Sequence, residues 1–343
     1  MNDSKDEQTD SKDEQNDSEN EQPYSDLTPD LMLDAVDALG FRTDARLLAL
    51  NSYENRVYQI GIEDAEPVVV KFYRPGRWSD EQIIEEHRFT QELAALEIPV
   101  VEPMTLDRRT LHEHAGYRYT VYRRQGGHAP ALDDLDNLFI LGRAMGRIHA
   151  VGAVRPFEHR PALTVQSFGV ESREFLLSED FVSADSVDAY DAVTLLLIDA
   201  MNAIFDGVEL NAIRLHGDCH LGNVLWRDDA PHFVDFDDAR MGPAIQDLWM
   251  MLSGPRPLQL RQLSELVDGY GEFHDFDSRE LVLIEALRSL RLMHHAAWLA
   301  RRWNDPAFPP AFPWFNTSHY WAEQVREMED QLNALERPPL TLQ

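Results

Sequence analysis

His216-Gly217-Asp218-Cys219-His220-Leu221-Gly222-Asn223 is followed shortly by Val234-Asp235-Phe236-Asp237-Asp238, so that Asp218, Asn223 and Asp235 stand at offsets of 0, 5 and 17. A carboxylate, a carboxamide and a second carboxylate at this spacing match the catalytic centre of a kinase. Phosphoryl transfer asks for positioning and charge neutralisation rather than for covalent help. Asp218 would orient an acceptor hydroxyl and take its proton late in the transfer. Asn223 and Asp235 offer the oxygen ligands that Mg²⁺ prefers. Gly217 and Gly222 permit the tight loop that returns Asn223 to the same cleft. Residues 231–235 read as a short strand whose alternation puts Asp235 and Asp237 on one face, which makes Asp237 a second metal contact. His216, Asp218, His220 and Asp235 could instead form a metal-dependent phosphatase site, but an Asn at this offset and an upstream lysine fit kinase chemistry better. Cys219 reads as a small packing residue.

The chain has three lysines, Lys5, Lys12 and Lys71; the first two lie in the N-terminal tail. A sequence that otherwise uses Arg and keeps one Lys within Val68-Val69-Val70-Lys71-Phe72 points to a compact ammonium on a strand, suited to the α- and β-phosphates of a nucleotide. Such a lysine wants a carboxylate on a neighbouring helix. Ser79 with Gln82 three residues later is a capping box opening a helix over about 80–97. Glu86, Phe89, Leu93 and Leu96 share one face of it, which makes Glu86 the better partner for Lys71 and Glu85 the alternative.

These residues need a scaffold, and the pattern along the chain supplies one. Thr28-Pro29 opens a short helix that Gly40 closes. Strands are expected over 47–50, 57–62 and 68–72, then over 100–104, 110–113 and 117–122 after the helix. The fold class is therefore α+β and bilobal, protein-kinase-like: a small antiparallel β lobe with one packed helix over 27–124, and a larger, mostly helical lobe over 125–343. Residues 123–127, with paired glycines, read as the hinge against which adenine would lie. Leu138, Leu141, Met145 and Ile148 form a helical stripe that ends at His149, a packing residue. Trp303 to Phe315, rich in Pro and aromatics, reads as packing over the last helices rather than as a docking surface.

Taken together, Leu50 to Tyr58, Val69 to Pro75, Leu215 to Arg227, Phe233 to Arg240, Gly242 to Trp249 and Trp298 to Phe315 resemble the aminoglycoside phosphotransferase-like (APH/choline kinase) family, whose signature is H-G-D-x-H-x-x-N followed by D-x-D/E. The resemblance is closest to bacterial serine/threonine protein kinases of that fold with a role in a stress response. It implies Asp218 as proton acceptor and Asn223 and Asp235 as Mg²⁺ ligands, Asp235 being catalytic as well, with Asp237 added to them by its place on the strand face. It implies Ser52 in the turn covering the ATP phosphates and Lys71 on ATP; Asn55 of the same turn and Glu86, the helix partner expected for Lys71, are the further candidates for the nucleotide site. Asp237 to Arg240 and Gln246 to Leu248 would brace the catalytic loop. There is no G-x-G-x-x-G; the phosphate-covering turn Asn51 to Arg56 contains no glycine, so side chains and backbone N–H groups must serve in its place. The implied partners are ATP and protein substrates bearing Ser or Thr, with autophosphorylation. The alternative is a small-molecule kinase acting on an aminoglycoside, choline or homoserine type of acceptor.

At 343 residues the chain can bury a core in each of two lobes. One cysteine excludes an internal disulfide and fits a reducing compartment. No long apolar run or secretory leader stands in the sequence, so a cytoplasmic protein, monomeric and off the membrane, is expected. The formal net charge is −30, which argues against nucleic acid and anionic lipid as partners. Residues 2–8, 9–15 and 16–22 are near-copies of seven residues with nothing apolar to bury, so residues 1–26 are expected to form a disordered acidic tail.

Overall fold

Residues 22–342 are described by the structure, a computed structural model; the heptad-repeat tail up to residue 21 lies outside the described residues. Residues 22–26, expected to belong to that tail, instead turn back onto the first lobe. Tyr24 donates its hydroxyl to the Glu54 carbonyl at 3.1 Å, and the Arg56 guanidinium lies over its ring at 4.3 Å.

Thr28 accepts the Leu31 amide and Pro29 fills the first turn, which starts α1 (Pro29–Asp37). β1 (Thr43–Ala49), β2 (Arg56–Ile62) and β3 (Ala65–Phe72) follow as a meander. α2 (Asp80–Ala95) opens on the expected capping box, with both Ser79 and Gln82 bonds present. It stops two residues short of the expected end because Glu97 turns left-handed, at φ 56°. β4 (His112–His114) and β5 (Tyr117–Arg123) complete an antiparallel sheet of order β1-β2-β3-β5-β4. Residues 100–104, expected as a strand, make only isolated bridges: Val100 to Phe233 and Pro103 to Tyr122.

The register explains where Lys71 points. It lies on the central strand between Val57 and Thr120. Its neighbours Val70 and Phe72 are buried in a small core with Val36, Ile60 and Val121. Alternation therefore sends Lys71 to the opposite face, toward the second lobe.

That lobe contains α3 (Leu135–Gly152), α4 (Glu171–Ser178), α5 (Val187–Asp206), β6 (Ile213–Leu215), β7 (Val224–Arg227), β8 (Ala230–Phe233), β9 (Arg240–Gly242), α6 (Ile245–Trp249), α7 (Arg256–Tyr270), α8 (Ile284–Arg301), α9 (Phe308–Ala311) and α10 (Ser318–Leu335). α3 and α7 cross closely: a Cβ on Gly142 would stand 2.0 Å from the Leu266 carbonyl oxygen. One large apolar core unites these helices and reaches Phe89 and Leu93 of α2. The lobes are also joined by backbone bonds from Phe233 N to Pro99 O and from Val101 N to Phe233 O, at 2.8 and 2.9 Å. Among the described residues no helix is long and apolar enough to cross a membrane.

Candidate active site

The antiparallel hairpin of β7 and β8 accounts for the spacing of the motif residues. Val224 pairs with Phe233, so the residues flanking the pair, Asn223 and Val234, meet, and Val234 N donates to Asn223 O at 3.0 Å. The hairpin thus brings Asp218, Asn223 and Asp235 to one rim of the interlobe cleft. The strand ends at Phe233 rather than running through Asp235. Residues 236–238 form a short 3-10 turn, and Asp235 is left-handed at φ 60°, ψ 62°. Asp tolerates that region better than most residues. The expected alternation of Asp235 and Asp237 thus fails as geometry, yet the turn still delivers both carboxylates to Lys71.

Lys71 Nζ lies 2.8 Å from Asp235 Oδ1 and 3.0 Å from Asp237 Oδ1. Burial opposes its charge, but the two carboxylates keep its pKa well above the usual lysine value. Asp237 is itself buried and also receives Asn55 Nδ2 at 3.1 Å and the Arg77 guanidinium. Against the cost of burial, Lys71 and Arg77 hold its carboxyl below the ordinary range. Asp238 pairs with Arg77 at 2.8 Å and Arg240 at 2.7 Å.

Glu86 is not the partner of Lys71. It is 2 % exposed, its Oε2 has no hydrogen-bond partner, and no ion pair joins it to Lys71 among the described residues. The neighbouring His87 ring stands 3.7 Å away, but burial lowers its pKa to about 3, so it is neutral. Glu85 does not reach Lys71 either. Its carboxylate accepts the amides of Glu158, His159 and Arg160 at 2.5, 2.9 and 2.8 Å, fastening α2 to the second lobe. Burial raises the Glu86 pKa to about 7, against the opposing pull of Lys71 and Arg160. A carboxyl raised in the folded state stabilises the fold fully below its unfolded value. The advantage is lost as pH climbs through about 7. Glu86→Gln should therefore melt several degrees higher than wild type at pH 8 and little differently at pH 5. Equal melting at pH 8 would show that Glu86 carries no buried-charge cost.

The loop that carries His216 to Asn223 is held from beneath. Asp247 accepts the amides of His216 and Gly217, both at 2.9 Å, and His149 Nε2 lies 3.0 Å from the same carboxylate. Burial would raise the Asp247 pKa, but the hydrogen bond and charge of His149 hold it low. Gln246 Nε2 donates to Gly217 O at 3.2 Å. Gly217 is required as glycine: its φ is +86° and a Cβ would lie 2.1 Å from the Asp238 carbonyl oxygen. Gly222 needs no left-handed backbone. Asn223 Nδ2 donates to Asp218 O at 2.9 Å, which leaves its Oδ1 as an acceptor without a partner among the described residues. Cys219 is buried, and burial pushes its thiol well up, as for a packing residue.

The glycine-free turn is anchored from the opposite lobe. Glu54 receives Trp298 Nε1 at 2.5 Å and pairs with Arg302 at 3.0 Å and Arg74 at 3.1 Å. Asp305 binds Arg56 and Arg74 at 3.0 and 2.5 Å. The Tyr53 ring packs on Phe312 at 4.8 Å, so part of the Pro-rich aromatic segment that was expected to pack over the last helices reaches across the cleft. Ser52, Asn55, Asp218, Asn223, Asp235 and Asp237 line one cavity of about 490 Å³. Lys71 meets its lining carboxylates from behind, and Glu86 lies deeper. Sequence reasoning missed Arg77 and Arg291, the latter placing Nη1 2.5 Å from Asp218 Oδ1. No sequence signal marked either, because each contact joins distant parts of the chain.

The donor set fits a hard cation. Asp235 is 47 % exposed toward the cavity, and the Asn223 side-chain oxygen accepts no hydrogen bond among the described residues. Among the described residues no three His, Cys, Asp or Glu side chains form a metal cage. Mg²⁺ commonly rests on one or two carboxylates and the substrate's phosphates, keeping waters besides.

The phosphotransferase enzyme family (APH) matches residues 46–282. Stress response kinase A of Escherichia coli O157:H7 is 44 % identical over 319 residues, spanning 93 % of this chain and 97 % of that protein. A Salmonella typhimurium protein named serine/threonine protein kinase RdoA is 43 % identical over the same shares. Among solved structures, amicoumacin kinase hAmiN, in complex with AMP-PNP, Ca²⁺ and Ami, superposes with a TM-score of 0.70 at 19 % identity, covering 91 % of this chain and 95 % of its own. A microcompartment-associated aminopropanol kinase gives 0.67 at 17 % identity, covering 89 % and 97 %. The two-lobed fold is thus the kinase fold of those structures, and the chain belongs to the phosphotransferase enzyme family, as a kinase related over nearly its whole length to the stress response kinases A.

Proposed function

We propose that this kinase transfers the γ-phosphoryl group of Mg²⁺-bound ATP to Ser or Thr hydroxyls of proteins, itself included, within a bacterial stress response. The observation that carries the reading is the convergence of Lys71, Asp235, Asp237, Asn223 and Asp218 on one cleft. The name of the RdoA relative, similar along 93 % of the chain, supports the protein acceptor.

Lys71 leaves its aspartates to pair with the α- and β-phosphates, and Glu86, ionised above pH about 7, supplies the counter-charge behind it. Asn223, Asp235 and Asp237 would hold Mg²⁺, which when bound would supply charge neutralisation at the phosphate oxygens. Ser52 and the backbone of its turn cover the phosphates, and adenine lies against the hinge. Asp218 orients the hydroxyl. The acceptor O–P bond forms as the bond from Pγ to the bridging oxygen breaks, ADP departs, and the hydroxyl proton passes to Asp218.

Small-molecule acceptors are the second reading, favoured by the amicoumacin and aminopropanol kinases that share the fold. Incubation of the full chain with γ-labelled ATP, Mg²⁺ and a generic protein separates the two. Label on protein, abolished by EDTA and restored by Mg²⁺, is the expected result. Label confined to a small hydroxy compound, with none on any protein, would overturn the protein-kinase reading.

A further inference from the structure

The acceptor side of the cavity is walled by one face of α8: Leu287, Arg291, His294, His295 and Trp298. No carboxylate lies on that face. Burial lowers His294 to a pKa of about 3 and His295 to about 4, so both imidazoles are neutral. His294 stacks on Phe168 at 4.1 Å and His295 on Trp298 at 5.6 Å, each nearly parallel. The wall is therefore aromatic and neutral apart from Arg291. A polycationic acceptor would want free carboxylates here, and of the acids that line the cavity only Asp235, 47 % exposed on the nucleotide side, is not closed off by arginine; Asp218 is held by Arg291. Glu54 is held by Arg74 and Arg302, Asp237 by Lys71 and Arg77, and Asp238 by Arg77 and Arg240.

Arg291 differs from those structural arginines. Its side chain is 43 % exposed, and only Nη1 is engaged, 2.5 Å from Asp218 Oδ1 and 4.0 Å from the Met250 sulfur. Its Nε and Nη2 bond no protein group among the described residues, which leaves a planar donor edge without a protein partner on a side chain that lines the cavity. A guanidinium edge of this kind matches a carboxylate or phosphate in shape and charge. Its contact with Asp218 occupies one of the two oxygens, Oδ1, of the carboxylate assigned to the hydroxyl proton.

We propose that Arg291 recognises an anionic group beside the reacting hydroxyl, so that the protein acceptor is a Ser or Thr in an acidic sequence, and that docking this group draws Arg291 away from Asp218. The inference rests on the protein-kinase reading and names the substrate class for it. In a chain of net charge −30, one guanidinium at the catalytic aspartate supplies the local attraction that the surface as a whole withholds. The transfer is unchanged in its balance: the substrate anion takes the guanidinium, Asp218 takes the hydroxyl proton, and the phosphoryl group passes from ATP to the freed oxygen.

The test is a matched series of Ser peptides flanked by Glu, Ala or Arg, assayed with saturating Mg-ATP. Wild type is compared with Arg291→Gln, Arg291→Lys and Arg291→Glu, with the KM for ATP and the melting temperature as controls on the nucleotide site and the fold. Wild type should favour the Glu peptide over the Arg peptide by about tenfold or more in kcat/KM. Arg291→Gln should erase the preference, chiefly through KM, bringing the Glu and Arg peptides toward equal kcat/KM. Arg291→Lys should keep part of the preference, and Arg291→Glu should turn it toward the Arg peptide. A preference surviving in Arg291→Gln, or a uniform fall in kcat on all peptides, would overturn the proposal by leaving Arg291 a merely positioning role. A hydroxy acid and an amino alcohol run in parallel keep the two readings apart. Label on the hydroxy acid alone, with the same Arg291 dependence, would refute the protein acceptor and uphold anion recognition; label on the amino alcohol alone would refute both.

Discussion

Asp218→Ala should lower phosphoryl transfer by about a hundredfold to ten-thousandfold while the protein still binds Mg-ATP. The expectation rests on how little else the Asp218 carboxylate does. Its loop is shaped by other groups: Asp247 beneath the His216 and Gly217 amides, the left-handed Gly217, and Asn223 on the Asp218 carbonyl, which alanine retains. The one guanidinium it binds, Arg291, is 43 % exposed and can turn to water when the carboxylate is gone. An exposed pair of this kind contributes about 1 kcal/mol or less, so melting should hardly move. Asp218→Asn should lose as much activity as Asp218→Ala, because the amide keeps the shape but not the basicity. Single-turnover transfer measured beside equilibrium ATP binding separates the effects. A loss confined to acceptor KM, with the single-turnover rate intact, would remove Asp218 from proton transfer.

The geometry of the loop from His216 to Asp235 could be read from sequence because it is local. The offsets between Asp218, Asn223 and Asp235 are set by one tight loop and one two-stranded hairpin, both of which short-range turn and strand signals describe. Lys71 stood out through scarcity, and its direction followed from strand alternation between Val70 and Phe72. The start of α2 was legible to the residue, since Ser79 and Gln82 satisfy each other's backbone locally. What failed was long-range. Helical spacing marked Glu86 as facing the core but could not say that Asp235 and Asp237 would reach Lys71 first, because that depends on a left-handed residue ending β8. The clamp of Glu54 and Asp305 across the cleft, and the reach of Arg291 to Asp218, join segments far apart in the chain and leave no periodic trace. The strand expected over 100–104 has suitable residues but only single bridging partners, so a favourable pattern met no ladder to join.

Lys71→Ala should both destabilise the protein and lower transfer by about a hundredfold to a thousandfold. The two effects have different sources. In the free enzyme Lys71 is buried between Asp235 and Asp237, and removing one partner of a buried ion pair typically costs about 3–5 kcal/mol. Here the loss should fall below that range. Asp237 keeps Arg77 and Asn55, and Asp235, 47 % exposed, can hydrate. In catalysis nothing replaces the ammonium: Arg77 is held by Glu54, Asp237 and Asp238. Lys71→Arg should rescue stability only in part and activity hardly at all, because a planar fork cannot occupy the position of a compact ammonium between two carboxylates. A signature independent of turnover follows from the same geometry. With Lys71 gone, Asp235 and Asp237 lose their shared cation, so added Mg²⁺ should raise the melting temperature of Lys71→Ala more than that of wild type, through mass action on a tighter site. If Mg²⁺ shifts both proteins equally, these two aspartates are not the metal ligands, and the lysine's role must be sought in the fold rather than in the nucleotide site.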